Sequence, residues 1–103
     1  MPVYNQRQKI NTTKRTFEVT LKDENYEYMM HHVIDGRVLV PATGYLIMVW
    51  ETISFLQGKL FDEISVVFEN VKFERATTVP ASGSVVLTVT IHRGLYFLFS
   101  FRF

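Results

Sequence analysis

The run His32-Val33-Ile34-Asp35-Gly36-Arg37-Val38-Leu39-Val40-Pro41-Ala42-Thr43-Gly44-Tyr45 decides how the chain is read. It holds one imidazole, two glycines and a proline, has no Lys or Glu, and leads into the most apolar helical segment of the sequence. Gly36 punctuates it as a turn or a close backbone approach. Pro41 stands just ahead of the helix, where a missing N–H is harmless, and Thr43 is placed to cap the helix start. From about Gly44 to Gln57 the residues Leu46, Val49, Trp50, Ile53 and Leu56 recur at spacings of three and four. Ile47, Met48 and Phe55 widen that stripe almost all the way round. A helix this apolar is expected to be buried on most sides, with Gly58 as its stop.

Upstream, residues 1–15 are polar and without a period, and are read as a linker or solvated arm ahead of one domain over 16–103. Phe17-Glu18-Val19-Thr20-Leu21 alternates as a half-buried strand does, and Lys22-Asp23-Glu24-Asn25 breaks it as a turn. Downstream, Ile64 to Val79 starts with apolar residues at even positions (Val66, Phe68) and switches to odd ones (Val71, Phe73). A strand changes its buried face only by slipping one residue, so a bulge or kink is expected at Glu69-Asn70. After a turn at 80–83, Val85, Leu87, Val89 and Ile91 alternate with Val86, Thr88, Thr90 and His92, and Leu95, Phe97, Phe99, Phe101 and Phe103 likewise fall on one face. For the two apolar sets to share a face, Ile91 is expected to pair with Leu95 across a three-residue loop, His92-Arg93-Gly94. The plan is α+β: a strand, one buried helix, then an antiparallel meander.

Composition sets the bounds. The 103 residues are 48% apolar, 15% aromatic and 20% charged, which fits a single globular unit with a modest core. A formal net charge of +1 gives no case for a nucleic-acid or acidic-membrane partner. The sequence contains no cysteine, so no disulfide framework or Cys-based zinc site is available. Val38 to Trp50, the uncharged stretch leading into the helix, is too short to span a bilayer, and residues 1–10 hold no signal-like apolar run. A cytoplasmic location is the expectation.

The chemistry open to the central stretch follows from its residue types. An imidazole titrates near neutrality and is the natural general base. Backbone N–H groups at a glycine turn and at a helix start are fixed dipoles for a developing oxyanion, each worth roughly 3–4 kcal/mol. His32, Gly36 and the helix beginning near Thr43 supply candidates for both parts. Tyr45, Met48 and Trp50 are candidates to line an apolar pocket, although core packing is the default for such residues.

His32, Gly36 and Pro41 together give the spacing HxxxGxxxxP, which is the pattern of hot-dog dehydratases. The wording around it, Ile34-Asp35-Gly36-Arg37-Val38-Leu39 and Pro41-Ala42-Thr43-Gly44-Tyr45-Leu46, resembles the dehydratase region of animal-type fatty acid synthases and related polyketide synthases. The likeness extends more loosely from about Phe17 to about Arg93. It implies a single hot-dog fold, an antiparallel sheet around one central helix, as the N-terminal half of a double hot dog. It also implies dehydration of 3-hydroxyacyl chains on the phosphopantetheine of an acyl carrier protein, giving the trans-2-enoyl thioester. In that likeness His32 is the catalytic base, Gly36 the backbone donor to the thioester carbonyl, and Pro41 a brace for the loop. Tyr45, Met48 and Trp50 would line the acyl pocket.

His31 is a mild departure, because relatives often carry Asp just before the histidine. The larger departure concerns the acid. In the family it is an Asp of the second hot dog, and this chain runs only about ten residues past Arg93. The expected partners are therefore a carrier protein and a second hot dog within a homodimeric parent. The isolated chain is expected to be inactive, with no metal or nucleotide cofactor. Two alternatives stay open: a non-catalytic hot dog that binds acyl groups or self-associates, and an acyl thioesterase, since fold does not fix function.

Overall fold

The structure is a computed structural model describing residues 12–73, 75–93 and 97–102. Two expectations from the sequence fall outside those residues: residues 1–11 of the arm expected over 1–15, and the glycine turn at Gly94. The elements are β1 (Thr12–Val19), a 3₁₀ turn (Glu27–His31), β2 (Val33–Ile34), β3 (Arg37–Val38), α1 (Ala42–Leu56), a second 3₁₀ turn (Phe61–Glu63), β4 (Val85–Arg93) and β5 (Phe97–Arg102). β1, β4 and β5 form an antiparallel sheet in the order β1-β4-β5, and β2 pairs with β3 as a separate hairpin. One helix lies on one face of an antiparallel sheet, which is the α+β hot-dog arrangement.

The period-2 pattern sets the inner face. Leu87, Val89 and Ile91 of β4 are fully buried, as is Val19 of β1, with Phe17 close behind. They pack with Tyr45, Met48, Val49 and Ile53 of α1 in one core. Phe97, Phe99 and Phe101 join it from the same side of β5. The shared face is as expected, but the register is not: Ile91 pairs with Phe99 rather than Leu95, and His92 lies within β4 opposite Leu98. A shift of four residues leaves every side chain on its face, so alternation alone does not distinguish the two.

β1 starts at Thr12, inside the stretch read as linker. Thr13 and Arg15 continue the inward alternation of Phe17 and Val19, and β4 is long enough to pair them with Ile91 and Val89. The turn after β1 holds an Asx bond, with the Asn25 N–H donating to Asp23 Oδ1 at 2.9 Å.

α1 begins two residues earlier than the pattern suggests. Its N-cap is Pro41 and has no side-chain capping bond, so Thr43 is an exposed first-turn residue and not the cap. The other end is as expected. Gly58 has φ +65°, its N–H donates to the Phe55 carbonyl, and the Lys59 N–H reaches back to Ser54. That pair of bonds is a Schellman stop.

Burial on most sides does not hold. The sheet covers one side, leaving Phe55 70% exposed, while Thr52 and Ser54 are buried and donate to the carbonyls of Met48 and Trp50. The long strand expected over Ile64–Val79 is also missing among the described residues. Its only ladder contact is a single bridge from Thr78 to Leu39. Asn70 has φ +56°, a backbone reversal that stops the run where the kink was expected. No helix among the described residues is long and apolar enough to cross a membrane.

Candidate functional site

The β2–β3 hairpin builds the site. Asp35 and Gly36 have φ +52° and +74° between the paired residues Ile34 and Arg37. Two successive positive φ values in a two-residue loop make a type I′ turn, for which Asp-Gly is a favoured sequence. Gly36 therefore stands at the exposed hairpin tip, where an added Cβ would meet nothing within 4 Å. The conformation alone accounts for a glycine there.

His32 and Leu39 close the open end of the hairpin. The Leu39 N–H donates to the His32 carbonyl at 3.0 Å, and the His32 N–H donates to Met29 at 3.0 Å. The ring of His32, half-buried, has Nδ1 3.0 Å from the Leu39 carbonyl oxygen. A carbonyl only accepts, so Nδ1 carries the hydrogen. In the neutral ring the free lone pair is then on Nε2, so the contact defines one tautomer.

Leu39 is anchored in turn. The Val40 N–H donates to the Thr77 carbonyl at 2.9 Å and the Val79 N–H to the Val38 carbonyl at 2.8 Å. Pro41 follows directly, with φ −71° and ψ 156°, and turns the chain into α1. The Gly44 N–H donates to the Pro41 carbonyl at 2.9 Å. The first-turn amides of α1 lack a capping side chain and an acidic neighbour, so their partial positive charge is not offset locally. The imidazole and the helix start thus lie at the two ends of the segment His32–Ala42, joined through Leu39.

The three expected pocket residues do not share one cavity. Tyr45 is buried against Phe73 and Phe101, with ring centroids 5.6 and 5.2 Å away. Its hydroxyl donates to Thr77 Oγ1 at 2.7 Å. Met48, three residues on along the same helix face, is buried beside a different cleft of about 250 Å³, shared with Tyr26, Tyr28 and Glu51. Trp50 is a structural pin: Nε1 donates to the Ile64 carbonyl at 3.0 Å and the ring packs on Phe61 at 4.4 Å.

Sequence reasoning missed the Leu39 carbonyl and Thr77. A backbone acceptor leaves no mark on residue type, and Thr77 lies in a segment misread as a strand. It also missed the cleft with Tyr26 and Tyr28. Burial first, then the Glu51 carboxylate, pushes both phenols above their ordinary value, so they are neutral at physiological pH.

The Tyr45–Thr77 bond ties α1 to the strap that holds Leu39. Tyr45→Phe leaves the Thr77 hydroxyl, only 2% exposed, without its donor. The expected cost is about 1–3 kcal/mol, read as a lower urea midpoint at unchanged slope. The sequence model of one protein family, described as the polyketide synthase dehydratase domain, matches residues 4–96.

Proposed function

This chain belongs to the polyketide synthase dehydratase domain family, and on that premise we propose that it supplies the base half of a dehydratase for 3-hydroxyacyl thioesters. The observation that carries the reading is the 3.0 Å contact from His32 Nδ1 to the Leu39 carbonyl. It leaves Nε2 free to accept a proton.

Nε2 of His32 takes a proton from the carbon next to the thioester carbonyl. The released electron pair moves onto the carbonyl oxygen as an enolate, then returns to form the carbon–carbon double bond as the β carbon–oxygen bond breaks. The leaving hydroxyl takes a proton from an acid and departs as water, giving the trans-2-enoyl thioester. The first-turn amides of α1 at Ala42 and Thr43, which have no side-chain cap, are the fixed dipoles for the enolate oxygen in this reading. Gly36 is a second backbone donor by family likeness, and Pro41 sets the path between hairpin and helix. The thioester arrives on the phosphopantetheine of an acyl carrier protein. The acid comes from a second hot dog, within a homodimeric cytoplasmic synthase of the polyketide or fatty acid type.

The proton-abstraction step can be tested by itself on the 103-residue chain. In D2O the chain is expected to exchange the α-protons of a 3-hydroxyacyl pantetheine thioester, followed by proton NMR, without forming the enoyl product. Exchange no faster than in buffer overturns the reading, and so does rapid dehydration by the chain alone. A second reading, a non-catalytic chain that self-associates, is favoured by one observation. Among the described residues β5 is an edge strand of the sheet, and its Leu98 is 65% exposed.

A further inference from the structure

One side of α1 carries a carboxylate that the histidine site does not use. Gly44, Ile47, Met48 and Glu51 follow the i, i+3, i+4, i+7 spacing, so they stand one above another along the helix. Asn25, Tyr26 and Tyr28, from the turn after β1 and the 3₁₀ turn, lie across from them, and the space between is the cleft of about 250 Å³. Gly44 permits this approach. A Cβ there would stand 3.3 Å from the Tyr28 hydroxyl and 3.0 Å from Met29 Cε, tighter than ordinary packing. The same distance places the Tyr28 hydroxyl at the cleft wall that Gly44 forms.

The lining selects for charge and for size. Glu51, half-buried, is its one charged residue, and the two phenols and the Asn25 amide are its other polar side chains. Burial first, and then Glu51, raises both phenols, so the carboxylate acts on Tyr26 and Tyr28 alike and both keep their protons. At Tyr26 Asp23 adds to that negative field, and Arg15 opposes it as the smallest contribution. The Arg15 guanidinium lies over the rings of Phe17 and Phe55 and is not part of the lining. A cation is therefore favoured, by the carboxylate and by the negative faces of aromatic rings. The volume of about 250 Å³ is below the roughly 300–1,000 Å³ of sites for drug-sized molecules, so a compact group fits and a nucleotide does not. A primary ammonium has three N–H donors and no acceptor. It matches a lining rich in oxygen acceptors, whereas a quaternary ammonium would leave them unused.

We propose that this cleft binds the ammonium group of a small primary amine, its N–H groups donating to the Glu51 carboxylate and the Tyr28 hydroxyl oxygen, with Tyr26 and Met48 alongside. His32 is not among the lining residues, so the site stands independently of the dehydratase reading. The test titrates the full chain with butylammonium, 1-butanol and tetramethylammonium at constant ionic strength and neutral pH, where a primary amine is protonated as lysine is. The methionine methyl groups are followed by NMR, because Met48 lines the cleft. A saturable shift of the Met48 methyl by butylammonium is expected, with 1-butanol at least tenfold weaker and tetramethylammonium at least threefold weaker. Glu51→Gln keeps the side-chain shape, removes the charge and is expected to weaken butylammonium at least tenfold. Tyr28→Phe keeps the ring, removes one acceptor at an exposed residue and is expected to weaken it about threefold. Both variants should retain the circular dichroism of the parent. Butylammonium that leaves the Met48 methyl unmoved, shifts it without saturation, or binds Glu51→Gln as tightly as the parent overturns the proposal. Tetramethylammonium binding as tightly as butylammonium also overturns it, and assigns the cleft to cations held by the rings alone.

Discussion

Replacing His32 by alanine is expected to slow α-proton exchange of a 3-hydroxyacyl pantetheine thioester by about 10²–10⁴-fold, the usual contribution of a positioned general base. The fold should survive the change. The substitution removes one part-buried hydrogen bond, from Nδ1 to the Leu39 carbonyl, worth about 1 kcal/mol. The backbone bonds between His32 and Leu39 and between Val40 and Thr77 do not involve the ring and remain. His31→Ala is the matched control, since that neighbouring imidazole is exposed at the end of the 3₁₀ turn. Exchange by the His31 variant should match the parent within twofold. Equal losses in both variants would indicate damage to the turn rather than removal of a base, and the assignment of His32 would fail.

The elements legible in the sequence are those set by periodicity and by special backbone conformations. Leu87, Val89 and Ile91 announced β4, and the stripe through Val49 and Ile53 announced α1, because burial on one face leaves a repeat in the residue types. Gly58 marked the helix stop for the same kind of reason, since a left-handed C′ position favours glycine. Asp35-Gly36 is a strong hairpin signal that was read only as a generic turn. What stayed hidden depends on partners distant in the chain. Nothing in Phe97 to Phe101 distinguishes pairing of Ile91 with Phe99 from a shift by an even number of residues. The segment 64–79 has strand-like residues, yet strand formation needs a neighbour, and among the described residues its pairing is confined to the bridge of Thr78 with Leu39 and the flanking bonds to Val38 and Val40. The histidine, the proline and the glycine of the site were visible as letters. The hydrogen bond that fixes the His32 tautomer was not, because its acceptor is main chain.

Leu87→Ala is expected to cost about 2–5 kcal/mol, the range for emptying a fully buried leucine position. Leu87 is 0% exposed and sits on β4, the central strand, paired with Phe17 of β1. The total stability of a domain is about 5–15 kcal/mol, so this single change removes a large share of it. The buried cluster is small, and β1, β4 and α1 supply most of it, so little is at hand to refill the space. Val86→Ala, one residue away, is the informative comparison. Val86 is 46% exposed on the opposite face, paired with Glu18, and its loss should fall within about 0.5 kcal/mol. A slip of β4 by one residue would exchange the two faces and reverse the order of the two variants. Urea unfolding of the pair therefore tests the register on which the core rests. A larger loss for Val86→Ala than for Leu87→Ala would place the helix on the other side of the sheet, and with it the whole path from Pro41 back to His32.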